Sequence, residues 1–284
     1  MSAKTNYNYK IVVDSCCELP DEFKNDPRFQ IVSLTLSIGD YEVIDDAGFD
    51  QLDFIKRVAE SEEAARSACP SPDAFMEAYN CDADRVYVIT LSSKLSGSYN
   101  SAMLGKDLFF ETYGDKDIHV FDSESASGGE TQLALKIIEL EEKNLSFDKI
   151  VKKVEDYRDN VHTYFVLNTL DSFIKNGRLP KLKGKIVSTL NIKPIMIGVK
   201  GMVKQKGQGV GIRQALKKMV ETIHSEIKDS ECRTLVITHC NCKERAEKVR
   251  DLILAQHRYA RCIIMEMRGV STLYACDGGI IVTM

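Results

Sequence analysis

The chain has 284 residues, of which 44% are hydrophobic and 28% are charged, so it is not disordered and has ample material for a packed core. Its 38 basic and 42 acidic residues give a formal net charge of −4, which argues against a nucleic-acid-binding surface spread over the whole molecule. At roughly 100 to 200 residues per domain, this length favours two domains of middling size.

Short runs rich in β-branched residues alternate with longer segments in which apolar positions recur every three or four residues. This alternation predicts an α/β fold with mainly parallel strands. The predicted strands cover residues 9–13, 31–37, 85–90, 119–121, 164–167, 193–199, 234–238 and 262–267. The predicted helices cover residues 49–61, 72–79, 96–113, 129–143, 146–159, 213–228 and 243–257. We expect Ser71, which is followed by Pro72, and Ser146 to cap two of these helices.

A polar helical segment followed by a new strand predicts a boundary near residue 160, which gives two α/β domains, 1–160 and 161–284. The least regular region, 175–211, is rich in glycine and basic residues and is either a linker or a functional surface. No stretch reaches the roughly 18 apolar residues of a membrane helix, and no apolar run of signal-peptide length opens the chain, so we expect a cytoplasmic protein. Most of the nine cysteines are therefore expected to be reduced thiols.

Four turns beside predicted strands are crowded with hydroxyl-bearing side chains. The turn 91–101, LSSKLSGSYNS, leads from an apolar strand into a helix, and the others are 66–72, 120–129 and 12–15. At the carboxyl ends of parallel strands, free N–H groups and serine hydroxyls can receive a carboxylate or phosphate. Four such turns predict one crevice lined by small polar groups. The alternative is that these serines only cap helices and satisfy turns.

Other kinds of chemistry find less support in the sequence. There is no Gly-x-Ser-x-Gly motif, no histidine placed to activate these serines and no nucleotide-binding glycine motif. His239, Cys240 and Cys242 are soft ligands at close spacing, so a metal site is the alternative to their being small buried or loop residues. Asp45 and Asp46 are interpreted as solvated loop charges, with a functional carboxylate pair as the alternative.

Taken in order, these turns resemble the DegV family, bacterial fatty-acid-binding proteins of the kind that present an acyl chain to a fatty acid kinase subunit. The resemblance covers nearly the whole chain, and its most specific motif is LSSKLSGSYNSA at 91–102. The other matching segments are Asp14-Ser15, Cys69-Pro70-Ser71-Pro72 with Phe75, Asp122-Ser123, Asn168-Thr169-Leu170, Lys175-Asn176-Gly177-Arg178 and Ile192-Lys193-Pro194-Ile195.

The resemblance implies that a long-chain fatty acid lies between the two domains, with its carboxylate held by hydroxyls and its tail in an apolar tunnel. The carboxylate ligands implied in this way are Ser67, Ser92, Ser93 and Ser96. No cofactor or metal is expected besides the bound lipid. The protein itself is then noncatalytic, with no nucleic acid as partner and with transient contact at a membrane surface left open.

The resemblance also implies a partner, an ATP-dependent fatty acid kinase subunit. Arg178 in KNGRLPKLKGK matches the family arginine implicated in docking that subunit, and Arg213 is a second candidate. The neighbouring Lys181, Lys183 and Lys185 either steer an acidic partner or a phosphorylated head group, or belong to a solvated loop.

Two stretches depart from the DegV pattern. In one, Ala68 and Cys69 replace the usual serine and glutamine. The other lies at 274–279. The family usually has a histidine, one further residue and then Gly-Pro-Gly or Gly-Ser-Gly, whereas Ala275 and Asp277 replace the histidine and the first glycine here. Loss of a cationic donor is expected to weaken carboxylate binding or move the head group, with Tyr274, Cys276 or a water as the substitute. Two alternatives stay open: a paralogue with altered lipid specificity, and an enzyme or subunit acting on a small hydroxylated or phosphorylated substrate.

Overall fold

The computed structural model describes residues 7–179 and 191–284. Its strands are β1 (Tyr9–Asp14), β2 (Phe29–Val32), β3 (Thr35–Ile38), β4 (Tyr41–Ile44), β5 (Arg66–Ala68), β6 (Arg85–Thr90), β7 (Asp117–Asp122), β8 (Thr163–Val166), β9 (Ile192–Val199), β10 (Met202–Val210), β11 (Thr234–His239), β12 (Arg261–Glu266) and β13 (Ile280–Thr283). Its helices are α1 (Gln51–Glu60), α2 (Pro72–Tyr79), α3 (Ser98–Tyr113), α4 (Gly128–Glu142), α5 (Phe147–Arg158), α6 (Asp171–Lys175), α7 (Gly211–Glu226), α8 (Lys243–Leu254) and α9 (Gly269–Ala275). The α/β class is confirmed, and none of these helices is long and apolar enough to cross a membrane.

Every predicted helix is present, and the two that were missed, α6 and α9, are too short to show a helical period. Ser71 caps α2 as predicted, because its Oγ accepts a hydrogen bond from the Ala74 N–H at 3.2 Å and Pro72 is the first helical residue. Ser146 precedes α5 as expected, but its side chain makes no capping hydrogen bond to the described residues.

The first sheet, in the order β2-β1-β6-β7, is parallel throughout, as the sequence pattern predicts. The single strand predicted at 31–37 is two strands, because the chain bends at Leu34. The Leu34 N–H donates to Ser15 Oγ at 3.0 Å, and its carbonyl accepts from the Asp45 N–H at 2.9 Å. After the bend, β3 joins a small antiparallel sheet of order β4-β3-β5, in which Ser67 lies opposite Leu36.

The second sheet, in the order β10-β9-β8-β13-β11-β12, is mixed, which corrects the expectation of mainly parallel strands for this half. Among its described strands, β11 and β12 are parallel and the other neighbours are antiparallel. A two-residue turn, Lys200-Gly201, joins β9 to β10, and both residues have positive φ, 48° and 74°. Such a tight turn makes a hairpin, so these strands must be antiparallel. Strand β10 is not among the predicted strands, because lysine, glutamine and glycine occupy most of its positions and leave no apolar pattern.

Helix α4 lies between the two sheets, where it contacts β6 of the first and β11 and β13 of the second. Its first seven residues are all buried. The close approach requires glycine, because a Cβ on Gly128 would lie 2.8 Å from Val236 Cγ1 and 3.0 Å from Thr283 Oγ1. One residue earlier, Ser127 Oγ lies 2.8 Å from Thr238 Oγ1. The beginning of α4 therefore joins the two sheets.

The order of the strands agrees with the predicted boundary near residue 160. All strands of the first sheet and the small sheet precede that residue, and all strands of the second sheet follow it. Each of the two larger sheets also has hydrophobic cores of its own. The division into domains 1–160 and 161–284 stays a prediction, because α4 packs against both sheets.

Replacing Gly128 with alanine is expected to lower the free energy of unfolding by about 1 to 3 kcal/mol, because the added methyl group overpacks the contact with Val236 and Thr283. Urea unfolding followed by circular dichroism measures this change. Gly207→Ala is the matched control, because a Cβ there would meet no described atom closer than 3.6 Å. Equal unfolding midpoints for the two variants would contradict the close packing of α4.

Candidate functional site

A cavity is lined by residues from both halves of the chain. The space between its walls, counted together with its opening to solvent, is about 800 Å³. Most of the wall is apolar. Its larger apolar side chains include Leu95, Phe165, Leu167, Phe173, Val203 and Val270.

Three of the four hydroxyl-rich turns line this cavity, and Cys16, the residue after the fourth turn, lines it as well, in agreement with the predicted shared crevice. Beside or within these turns, Cys16, Ser67, Ser96 and the segment 124–127 line the wall. Hydrogen bonds tie the turns to one another: Asp14 Oδ2 accepts from the Leu91 N–H at 2.9 Å. The cavity's largely apolar interior differs from the lining of small polar groups expected from the turns, and agrees with the apolar tunnel that the family resemblance implies.

Ser67 and Ser96 both line the cavity and are half-buried. Strand β5 carries Ser67, whose Oγ lies 3.5 Å from the phenol oxygen of Tyr274. Ser96 belongs to the turn after β6, where its N–H donates to the Ser92 carbonyl at 3.0 Å and its Oγ accepts from the Ser98 N–H at 3.2 Å. Ser96 Oγ also lies 3.1 Å from Ser98 Oγ. Because a hydroxyl has one proton and two lone pairs, Ser96 can donate to a ligand when Ser98 is the donor in that contact.

Ser92 and Ser93 do not line the cavity in the described part of the chain. Ser92 is fully buried, and its Oγ donates to the Gly201 carbonyl at 2.9 Å, which ties the turn after β6 to the tip of the β9–β10 hairpin. The Ser93 Oγ donates to the carboxylate of Asp122. Their contact with a ligand carboxylate stays a prediction, and their present bonds support a structural role in the turn.

Arg178 lines the cavity close to Ser96, because its Nε donates to the carbonyl of Leu95 at 3.1 Å. It is the one basic side chain among the described residues of the wall. The predicted basic segment with Lys181, Lys183 and Lys185 lies outside the described residues. The role of Arg178 in docking a partner stays a prediction.

Arg213 lies apart from the cavity, in the first turn of α7, and its side chain is exposed. It lines a groove between α7 and α8 whose floor includes Leu216 and Val249. The other basic side chains of this groove are Lys217, Lys243, Arg245 and Lys248. A basic groove on a chain of net charge −4 suits an acidic partner, but this role of Arg213 also stays a prediction.

Asp45 is buried, which corrects its interpretation as a solvated loop charge, whereas Asp46 is exposed as expected. The Asp45 carboxylate accepts hydrogen bonds from the N–H groups of Gly269 and Val270, both at 2.9 Å. These residues begin α9, so Asp45 fixes the position of that helix. Burial raises the pKa of the Asp45 carboxyl group, and the two N–H donors oppose this rise. Sequence reasoning missed this contact, because it joins segments far apart in the chain.

Three fully buried carboxyl groups, those of Asp14, Glu18 and Glu130, adjoin Cys16 in the cavity wall. Burial raises the pKa of Asp14 to about 6 and that of Glu18 to about 7, and it raises the pKa of Glu130 well above its usual range. Among the described residues, Glu18 Oε2 and both Glu130 oxygens have no hydrogen-bond partner. Burial of these groups therefore favours their protonated forms.

Two members of the cysteine and histidine cluster near the end of β11 are buried. His239 is buried, with its Nδ1 3.1 Å from the Glu266 carboxylate, and Cys240 is fully buried. Within residues 7–179 and 191–284, no group of three or more His, Cys, Asp or Glu side chains could hold a metal ion.

Comparison with known proteins bears on what this cavity holds. A family model described as an uncharacterised protein of the DegV family matches residues 8–283. The chain belongs to the DegV family. This DegV-family chain is 36% identical to a DegV domain-containing protein of Streptococcus pyogenes serotype M1, over 96% of this chain and 98% of that protein.

Two similar structures contain a fatty acid. A DegV-family protein from Ruminococcus gnavus, refined with vaccenic acid, is 45% identical, with a TM-score of 0.94 over 98% of this chain and 99% of that one. The fatty acid kinase (Fak) B3 protein of Streptococcus pneumoniae, loaded with linoleic acid, is 30% identical. Its TM-score is 0.88 over 97% of this chain and 98% of that one.

The contribution of Glu18 to the stability of this DegV-family protein is expected to fall as the pH rises from about 5 to 8. Burial raises the pKa of the Glu18 carboxyl group from 4.5 to about 7. Between these two pH values the folded state binds more protons than the unfolded state, so the free energy of unfolding decreases as the pH rises. Asp14 acts in the same direction. In Glu18→Gln, the decrease in the free energy of unfolding between pH 5 and pH 8 is expected to be smaller by about 3 kcal/mol than in the original chain.

Urea unfolding at pH 5 and pH 8 measures the effect of Glu18. Glu142→Gln, at an exposed position at the end of α4, is the control and is expected to keep the pH dependence of the original chain. An unchanged pH dependence in Glu18→Gln would contradict the raised pKa of this carboxyl group.

Proposed function

We propose that this protein binds a long-chain fatty acid in the cavity and presents its carboxylate to a partner fatty acid kinase. The observation that carries the proposal is an apolar cavity shared by both halves, with the hydroxyls of Ser67 and Ser96 on its wall. The vaccenic and linoleic acids of the two similar structures support the same class of ligand.

The apolar wall supplies most of the affinity for such a ligand. An acyl tail of about 15 methylenes, at roughly 0.8 kcal/mol for each one buried, contributes about 12 kcal/mol before the cost of ordering the chain. The side chains that receive the tail come from both halves, as Leu95 and Val203 illustrate. Binding therefore depends on the two halves remaining packed together.

The carboxylate loses its hydration when the tail is buried, and fixed donors must replace the lost water. We assign this role to Ser67 and Ser96, because both hydroxyls line the cavity and both side chains are half-buried. Arg178 lies beside them through its bond to the Leu95 carbonyl. The head group then stays near the surface, where a second protein can reach it.

The kinase partner is the finer part of the proposal. The similar Streptococcus pneumoniae protein is named as a fatty acid kinase B3 protein, which supports a shared role as the lipid-binding subunit. On this proposal the chain is noncatalytic, Arg178 contacts the partner at the cavity and Arg213 contacts it in the basic groove. The alternative, an enzyme for a small hydroxylated or phosphorylated substrate, would require a polar crevice in place of this apolar wall.

Protein purified from cells is expected to carry a noncovalent acyl chain. Native mass spectrometry, followed by extraction and analysis of the lipid, measures its mass and stoichiometry. One fatty acid per chain is the expected result. Repeated absence of lipid, together with failure to take up vaccenic or linoleic acid in a binding assay, would contradict the proposed function.

Arg178→Ala is expected to leave fatty-acid affinity nearly unchanged, because the Nε of Arg178 donates to a backbone carbonyl and the apolar wall supplies most of the affinity. Partner-dependent phosphorylation of the bound fatty acid is expected to fall by about tenfold or more. Calorimetry measures the first quantity, and a phosphorylation assay with a purified kinase subunit and ATP measures the second. Arg258→Ala, at an exposed position away from the cavity, is the control. Equal losses in both assays would contradict a docking role for Arg178.

A further inference from the structure

The phenol of Tyr274, one of the three candidates to replace the family histidine, is a polar group in the cavity wall. Its helix, α9, is held at its first turn by the two hydrogen bonds to the buried carboxylate of Asp45. Its ring packs against Phe173, with the two ring centroids 5.0 Å apart. The hydrogen bonds to Asp45 hold the backbone of α9, and the packing against Phe173 holds the ring, so the phenol has a defined position.

The phenol oxygen of Tyr274 and the Oγ of Ser67 lie 3.5 Å apart. Among the described residues, neither hydroxyl has another hydrogen-bond partner. Because each hydroxyl carries one proton, at least one of the two protons is left over for a third group, even when one hydroxyl donates to the other. Both residues line the same cavity, so that group is one placed in the cavity.

The three residues that follow Tyr274, 275–277, bring no competing donor to the described cavity wall. Ala275 is apolar, and the Cys276 thiol lies 3.7 Å from Ser172 Oγ, outside the described lining of the cavity. The exposed Asp277 accepts a hydrogen bond from the side-chain amide of Asn241 at 3.0 Å. Within 274–277, Tyr274 is the residue that brings a polar side chain to the cavity.

We propose that Tyr274 and Ser67 form a two-point donor for the ligand carboxylate, and that this pair makes the cavity select an ionised acid over an uncharged acyl derivative. The inference rests on the proposed function and names the group that recognises its ligand. Hydrogen bonds to a charged oxygen are about twice as strong as those to a neutral one. The phenol therefore favours a free fatty acid over the methyl ester of the same chain.

Tyr274→Phe tests this role, because it removes the hydroxyl and keeps the ring that packs against Phe173. The probes are vaccenic acid and its methyl ester, with both affinities measured by displacement of a fluorescent fatty acid. The affinity for the acid is expected to fall about tenfold or more, and the affinity for the ester to fall much less. A general disturbance of the cavity would lower both affinities by the same factor.

Two further variants complete the design. Tyr113→Phe removes a phenol hydroxyl from an exposed side chain at the end of α3 and is expected to change neither affinity. In Ser67→Ala combined with Tyr274→Phe, the loss of acid affinity is expected to differ from the sum of the two single losses, because both hydroxyls contact the same carboxylate.

The outcomes separate this inference from the proposed function. If the unaltered chain binds vaccenic acid and Tyr274→Phe binds it equally well, the role of Tyr274 is wrong and the proposed function stands. Equal factors of loss for the acid and the ester would also overturn the role of the phenol as a carboxylate donor. If the unaltered chain binds neither probe, the proposed function fails and this inference fails with it.

Discussion

The packing of α4 against both sheets is the contact on which the rest of the structure depends. Gly128 lets the helix reach Val236 and Thr283 of the second sheet, while the same helix covers β6 of the first. This arrangement brings the turns after β1, β6 and β7 close to α9 and the β9–β10 hairpin. The cavity is the space that remains between them, so its shape follows from how closely α4 can approach.

The cavity combines apolar walls with a small number of placed polar groups. Apolar side chains can hold a long tail, but they give it no fixed register along the wall. On the proposed function, the hydroxyls of Ser67, Ser96 and Tyr274, all on the cavity wall, fix one end of the ligand. The polar residues around them, Asp45 in particular, are occupied in holding helices and turns in place. Most of the polar chemistry near the cavity therefore serves to position a few hydroxyls.

The sequence predicted the α/β class, the helices and the meeting of four turns, because these depend on local periodicity and on where strands end. It missed β10, whose polar residues carry no apolar alternation, and α9, which is too short to show one. The positions of Ser67 and Ser96 on the cavity wall agree with expectation. Ser92 and Ser93 show the limit of such reasoning, because a motif reveals which hydroxyls are present but not which acceptors lie within reach. Those acceptors, Gly201 and Asp122, become neighbours only after folding.

The bond between Ser92 and the Gly201 carbonyl links the tip of a hairpin from the second half to a turn of the first. Part of the cavity wall is thus an attachment between halves rather than a continuous core. A molecule that fills the cavity makes contacts with both halves. Any ligand that binds the folded chain but not the unfolded chain shifts the equilibrium toward the folded state by mass action. Such a ligand would stabilise the folded chain, so the chain without it would unfold more often and be more exposed to proteolysis.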